Sequence, residues 1–513
     1  MRRGWRAAVV VVGAPSLVMA VLGALVAVRS PLWRDEIASL SFAELPLPDL
    51  FTAVTHVDGV MLPYYLVASL AQLLPPEWAI RVPSVVAMTV AVGATAALAR
   101  RWWGPVAAVV AGFAIALNPL AIQQAATARP YALATCFVAL AALALDAAAG
   151  RRDVPDGGRG RPVLAWAAYA ACLALAGLMH LFAILAVPAF LVLALVARRL
   201  LAWALATAAG LVAVVPLMLF AYGQRGQVDW ISRPTLRSGI GALASVLTFR
   251  SDSAFGPYEA LALGLVTVAA VLALVLAWRR PSGGRVRDLG RVGCALAAFG
   301  GPWLVLFAVS LAWTPFLRTT YLTPALVGLG LLLGGAAGLG TSWALAGRRS
   351  WRLPVVAAIV AAPICASAVM AAAVVTRPWY VDDFPGLRRA LGETLRTGDT
   401  LVVVQPHNEV GTASGVARAS GDREWTAELQ AQLVPGEQPR VGARRVDGVD
   451  PLRTTPLAAP PATGTVWVVY TRGAINAQDF GPVASGLLGC RGSTLTDVGA
   501  FGILRLADAG CVR

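Results

Sequence analysis

Asp35 and Glu36 are adjacent carboxylates that follow Trp33 and Arg34 directly after the first apolar segment of the chain. A carboxylate at the water end of a membrane helix is suited to take a proton from an attacking hydroxyl, the work of a general base. The same pair is also what a helix leaving lipid would carry. Beyond it, the stretch from Ser41 to Tyr65 holds His56 and Asp58 and is too polar to cross a bilayer. Two arginines stand in settings suited to an anion. Arg129 lies in the short polar connection from Gln123 to Tyr131, ahead of a Pro130 that fits the first turn of the next helix because it has no N–H. Arg318 opens a second such segment, Pro315 to Pro324, which also holds Tyr321. A planar guanidinium fork matches phosphate, and interfacial snorkelling is the alternative for both arginines. His180, one of three histidines, falls at a turn between two apolar runs. There it can donate and accept hydrogen bonds near neutral pH, although a structural histidine would look the same.

The elements that hold these residues are membrane helices. Of 513 residues, 58% are hydrophobic and only 13% charged, which excludes a soluble globular enzyme and indicates a polytopic membrane protein. Every basic residue is Arg. The first 375 residues hold 28 Arg against 13 acids and carry the whole formal charge of +15, while from Thr376 onward 14 Arg balance 14 acids. A basic excess confined to membrane loops sets orientation and is not a nucleic-acid surface.

The first apolar run, Ala7 to Val28, follows Arg2, Arg3 and Arg6 and at ~22 residues can span a hydrocarbon core of about 30 Å. It lacks a good small-residue cleavage site and reads as an uncleaved anchor. Runs at 81–99, 105–123, 130–149, 163–180, 181–197, 200–222, 257–278, 292–313, 322–345 and 354–375 bring the total to eleven spans. Leu62 to Leu74 is apolar over only ~13 residues, the range of an interfacial or re-entrant helix. With the N-terminus in the cytoplasm, this topology puts 19 of the 28 arginines inside, and counting Leu62 to Leu74 as a crossing would reverse that. It also collects Asp35, Glu36, His56, Asp58, Arg129, Tyr131, His180, Asp229, Arg318 and Tyr321 at the outer face, where the loop from Tyr222 to Tyr258, with Asp229-Trp230 and Asp252, carries no recognisable motif. Almost nothing ionisable is left at mid-depth, where a charge would cost at least ~2.5 kcal/mol.

At Thr376 the composition changes. Asp382 to Arg396 reads as an amphipathic helix, and Thr400 to Val404, Thr465 to Thr471 and Phe501 to Leu506 read as strands, around a loop-like middle from Pro451 to Gly464. The expected organisation is a membrane domain over 1–375, with its first outer loop at 30–80, and a small extracytoplasmic α/β domain over 376–513. Cys490 and Cys511 are the only cysteines in that tail and are expected to form a disulfide in an oxidising compartment. No Cys/His spacing calls for zinc.

Taken together, the motifs resemble a known family. Leu32-Trp33-Arg34-Asp35-Glu36 is similar to the Asp-Glu signature in the first outer loop of the protein mannosyltransferase-like enzymes, glycosyltransferase family 39 within the GT-C membrane fold. His56-Val57-Asp58-Gly59 with Leu62-Pro63-Tyr64-Tyr65 resembles their His-rich, Pro-Tyr-Tyr juxtamembrane helix. Ala128-Arg129-Pro130-Tyr131-Ala132-Leu133 resembles their Ala-Arg-x-Tyr-Ala-Leu segment, and Met179-His180-Leu181-Phe182-Ala183 their Thr-His-Tyr-Phe-Ala hairpin. Arg318-Thr319-Thr320-Tyr321-Leu322-Thr323-Pro324 resembles their Arg-Tyr-Leu-x-Pro. The matches run in order through about the first 325 residues. The chain departs from the pattern where Leu62-Pro63 replaces a double Pro and where two residues separate Arg318 from Tyr321.

The resemblance implies a GT-C fold of about eleven transmembrane helices in the plasma membrane. It implies a donor sugar, mannose or a pentose before others, on a polyprenyl phosphate, and an envelope acceptor that is a protein, a glycolipid or a glycan. In that reading Asp35 is the base, with Glu36 beside it orienting substrate. Arg129 and Arg318 hold the donor phosphate, and His56, Asp58, Tyr64, Tyr131, His180 and Tyr321 contact substrate. No cofactor is required, and a divalent metal on Asp35, Glu36 or His180 is compatible with the sequence. A transporter would instead show internal repeats and polar or broken helices at mid-membrane. A non-catalytic envelope assembly protein gives no reason for acids, Arg and His to gather at one face.

Overall fold

A computed structural model of the chain describes residues 2–71, 73–74, 77–150, 160–249, 255–346, 350–376, 382–394, 399–404, 411–420, 441–446, 454–456, 465–471, 495–498 and 501–506. In chain order the helices are α1 (Arg2–Arg29), α2 (Arg34–Ala43), α3 (Leu47–His56), α4 (Leu62–Ala71), α5 (Val82–Trp103), α6 (Pro105–Ala116), α7 (Pro119–Ala125), α8 (Tyr131–Ala149) and α9 (Gly160–Met179). They continue as α10 (Val187–Val196), α11 (Leu200–Val212), α12 (Val215–Gly223), α13 (Leu236–Thr248), α14 (Pro257–Trp278), α15 (Ser282–Ala312), α16 (Ala325–Leu345) and α17 (Arg352–Thr376). Two compact units result: Met1–Ala27 with Arg81–Arg377, and Val28–Ile80 with Pro378–Arg513.

The first unit is helical. Among the described residues, seven helices are long and apolar enough to cross a membrane, and nine if the two bent pairs each count as one span. The expected eleven would also need 163–179 and 181–196, which fall among shorter apolar helices of 10–17 residues. The run read as one span over 105–123 bends by 66° between α6 and α7. Its cause is local: Pro119 cannot continue α6, and Asn118 caps α7 by accepting from the Ala121 N–H at 3.1 Å while its side-chain amide donates to the Val246 carbonyl at 3.0 Å. α16 lies at the centre of the unit, 89% of its apolar window being buried. Its glycines allow this: a Cβ at Gly334 would stand 2.7 Å from the Ala107 carbonyl oxygen, and one at Gly328 would clash with the backbone of Phe299.

The second unit joins the segment expected to be an outer loop of the membrane domain to the tail. It adds helices α18 (Phe384–Thr394) and α19 (Gly411–Ser420) to strands β1 (Thr400–Val404), β2 (Val441–Val446), β3 (Thr454–Pro456), β4 (Val466–Thr471), β5 (Leu495–Val498) and β6 (Phe501–Leu506). The sheet order is β3-β2-β1-β4-β6-β5. β1 and β4 pair in parallel from Thr400↔Val466, and the other pairs are antiparallel. β3 falls inside the stretch read as loop, where Pro and Gly hide a strand of three residues. Phe384, Leu387 and Leu391, on one face of α18, pack with Leu401, Val403, Val469, Phe501 and Ile503 of the sheet. Ile37 of α2 is buried in the same core. Full burial of such a side chain contributes roughly 1.5–3 kcal/mol, which explains why residues 28–80 group with the tail. α4 has 10 residues and is too short to cross. Cys490 and Cys511 lie outside the described residues.

Candidate active site

The sequence supplies no Ser, Thr, Asp or Asn at the N-cap of α2, where Trp33 stands in extended conformation. The orphan N–H groups of a helix start then need other acceptors. Glu36 Oε2 accepts from the Trp33 N–H at 3.3 Å, and Asp382 Oδ2 accepts from the Arg34 N–H at 3.0 Å. The Arg34 Nε adds an ion pair to the same carboxylate at 3.4 Å. A negative charge here also favours the helix dipole. At the other end, Arg418 Nη1 donates to Glu44 Oε1 at 3.2 Å, while its Nη2 meets Glu44 Oε2. Both ends of the helix that carries Asp35 are therefore held by charged residues of the tail.

Within that helix the two carboxylates differ. Glu36 is buried and caps backbone, whereas Asp35 is half-buried, its backbone carbonyl accepting from Ser39 Oγ at 2.9 Å. Asp382 is fully buried. Burial raises its carboxyl above the usual range, the Arg34 guanidinium and backbone N–H oppose that, and the charge of Asp35 adds to the rise. Asp382 Oδ1 is buried and has no hydrogen-bond partner among the described residues.

The remaining candidates of this unit lie at the end of α3, in the turn after it and in α4. Asp58 takes a left-handed conformation at φ 54°, which Asp tolerates better than most side chains, and accepts from the Tyr65 hydroxyl at 3.1 Å. Tyr65 stacks on Phe42 with ring centroids 4.7 Å apart. Tyr64 is buried and His56 is exposed at the end of α3. The sequence assigned a role to Tyr64 and none to Tyr65, although both stood in the same motif.

In the helical unit, residues from three separate motifs meet. The His180 ring lies 5.2 Å from Tyr131 and 4.9 Å from Tyr321, and the two tyrosines are 6.0 Å apart. Phe182 closes on Tyr321 at 5.5 Å and on Phe316 at 5.3 Å. His180 ends α9 in extended conformation, so its ring leaves the helix and faces the start of α8. Its Nε2 is buried with no hydrogen-bond partner among the described residues. Arg129 is close enough for its charge to act on this ring. Its position is fixed by the turn after α7: the Arg129 N–H donates to the Thr127 carbonyl at 2.9 Å and Ser84 Oγ donates to the Arg129 carbonyl at 3.3 Å. Thr127 is itself held by Gln123. Arg318 lies 5.1 Å over the ring of Trp230, a cation–π contact that helps to orient the guanidinium.

Thus Tyr131, His180 and Tyr321 converge with Arg129 beside them, Arg318 is backed by Trp230, and Asp35 and Glu36 share α2. Sequence reasoning missed Asp382, Arg418 and Trp230 as supports. Asp229-Trp230 was the one signal in an otherwise motif-free loop; Asp382 and Arg418 gave none. Among the described residues no three His, Cys, Asp or Glu side chains cluster as metal ligands would.

Residues 58–222 match the sequence model of the dolichyl-phosphate-mannose-protein mannosyltransferase family. No curated protein sequence matches the chain. Its fold is similar to that of ArnT from Cupriavidus metallidurans bound to undecaprenyl phosphate, at 15% identity and TM-score 0.55 over 99% of both chains. It is also similar to the archaeal oligosaccharyltransferase AglB from Archaeoglobus fulgidus in complex with an inhibitory peptide and a dolichol-phosphate. That match has 12% identity and TM-score 0.51, and covers 98% of this chain and 74% of the other.

Proposed function

From the premise that this chain is a multi-pass membrane protein of the GT-C glycosyltransferase fold, we propose that it transfers a sugar from a polyprenyl-phosphate donor to an acceptor of the cell envelope. The observation that carries the reading is the meeting of Tyr131, His180 and Tyr321 beside Arg129. An aromatic and imidazole wall next to a guanidinium suits a phosphate with a sugar attached. Solved structures of similar fold hold undecaprenyl phosphate and dolichol-phosphate, molecules of the class proposed here.

The reaction is an inverting displacement. The acceptor hydroxyl attacks the anomeric carbon, its proton passes to Asp35, and the bond from that carbon to the phosphate oxygen breaks, with the electron pair leaving on the lipid phosphate. Arg129 and Arg318 stabilise the charge that grows on the departing group. Since phosphate already leaves as an anion, no general acid is needed. His180 contributes Nε2 to a substrate oxygen, Tyr131 and Tyr321 line the donor, and Glu36 acts on Asp35 through the helix start that it caps. Asp58, Tyr64 and His56 are assigned to the acceptor side. Mannose and pentose donors are the first to try, with the N-terminus in the cytoplasm and the tail outside.

The test is transfer from purified polyprenyl-phosphate sugars by the protein in membranes, wild type against Asp35→Asn. Loss of the base is expected to lower kcat by about 10²–10⁴-fold. Near-normal transfer by the variant would sink the base assignment, and absence of transfer from every donor by the wild type would sink the activity.

A further inference from the structure

The helical unit has a second polar region at the end away from Arg129 and His180. It is built where α5 stops, where α15 starts and where α16 finishes. A cavity of about 390 Å³ opens there, lined by Trp102, Trp103, Arg280, Arg287, Asp288 and Ser342 among others.

Its charges do not cancel. Asp288 is buried and meets Arg280 Nε at 3.5 Å, Arg287 Nε at 4.0 Å and Arg291 Nη1 at 3.6 Å. Behind it, Asp146 meets Arg101 at 2.9 Å and accepts from the Trp102 indole N–H at 2.7 Å. Four arginines thus share two acids. Arg280 and Arg287 both turn Nε towards Asp288, and both line the cavity. Trp103 Nε1 is buried and has no hydrogen-bond partner among the described residues. The rest of the lining consists of the two indoles, Pro281, Gly284, Gly338 and Ser342. A cavity with surplus positive charge, a buried N–H donor without a partner among the described residues and indole walls suits an anion, and basic pockets between helix ends are where lipid headgroups bind.

We propose that this cavity binds the phosphodiester headgroup of an anionic membrane phospholipid, with Arg280, Arg287 and the Trp103 N–H as donors. The lipid joins the ends of α5, α15 and α16. This site is independent of the sugar-transfer reading, because none of its residues belongs to that machinery.

The experiment uses the full chain in nanodiscs of phosphatidylcholine, with and without phosphatidylglycerol, read by thermal unfolding and by native mass spectrometry of retained lipid. Wild type is expected to keep phosphatidylglycerol through mild activation and to unfold at higher temperature with it. Inorganic phosphate added to phosphatidylcholine discs is expected to do neither. Arg280→Gln and Arg287→Gln should each weaken retention about fivefold, since an arginine near an anionic surface contributes on the order of 1 kcal/mol. Trp103→Phe keeps an aromatic ring, removes the N–H and should also weaken retention, which guards against misfolding of the arginine variants. Equal behaviour in the two lipids, or wild-type retention by the double arginine variant, overturns the proposal; an equal response to inorganic phosphate overturns the lipid as the ligand.

Discussion

The two ends of the helical unit are both rich in Arg and aromatic rings, yet they use them differently. At one end the carboxylates Asp146 and Asp288 are surrounded by arginine. At the other end the rings of Tyr131, Phe182 and Tyr321 surround His180, whose buried Nε2 has no partner among the described residues, and Arg318 lies over Trp230. Around Asp288 a shared carboxylate holds helix ends together and leaves donors at its edge to a lipid headgroup, whereas the His180 nitrogen is buried where the sugar donor is proposed to bind. Charge density alone therefore does not locate chemistry in this chain.

The contrast is sharpest in substitutions that should separate rate from stability. Arg129→Ala is expected to lower transfer by about 10²–10³-fold, the size of losing one preorganised group that stabilises a developing anion. His180→Phe keeps the ring contacts with Tyr131 and Tyr321 and removes only the nitrogens, so it should lower kcat while the unfolding temperature stays close to wild type. Steady-state transfer assays with parallel thermal unfolding check both. If His180→Phe unfolds early and transfers normally per folded molecule, the histidine is structural and the contrast between the ends disappears.

Asp288→Ala should do the reverse. Removal of a buried carboxylate leaves Arg280, Arg287 and Arg291 without their shared acid, a loss on the order of 3 kcal/mol. Transfer per folded molecule should remain near wild type. A selective loss of rate with unchanged unfolding would put chemistry at this end too.

How much of this was legible differs between elements. The cores of α5, α8, α14, α16 and α17 could be read from apolar length, because bilayer thickness sets how long an apolar run must be. The bend at Asn118 was missed because hydropathy does not register direction, though Pro119 stood in plain view. α15 begins ten residues before its apolar run; the turn from Ser282 to Arg291 is helical because Asp288 satisfies arginines on either side of it. α13, inside the loop read as motif-free, carried a cap signal in Thr235 and Ser238, whose side chains and N–H groups bond reciprocally. At the site, Arg129, His180 and Tyr321 were legible because each sits in its own short motif. Asp382 was not, since its bond to Arg34 joins positions 348 residues apart and no local pattern announces such a pairing.

Asp382 falls between the two kinds of charge, with one oxygen engaged by Arg34 and the other without a partner among the described residues. Its carboxyl is raised by burial, so the folded protein binds this proton more tightly than the unfolded chain does. The associated stability is fully present below the ordinary Asp value of about 3.9 and is lost as pH rises through the folded value. Asp382→Asn removes the titration. Wild type should therefore gain on the variant as pH falls towards about 4, measured as the difference in unfolding temperature across pH. A constant difference across that range would mean that the carboxylate is satisfied as an anion and belongs with the paired charges.

The smallest effect is expected at Tyr65. Its hydroxyl donates to Asp58 at 3.1 Å while its ring stacks on Phe42. Tyr65→Phe keeps the stack and gives up one part-buried hydrogen bond to a charged acceptor, about 1.5 kcal/mol. A fall in stability of that size with unchanged transfer makes Tyr65 a brace for the left-handed turn at Asp58. A fall in acceptor affinity larger than the fall in stability would instead show that Asp58 must be held in place to meet substrate.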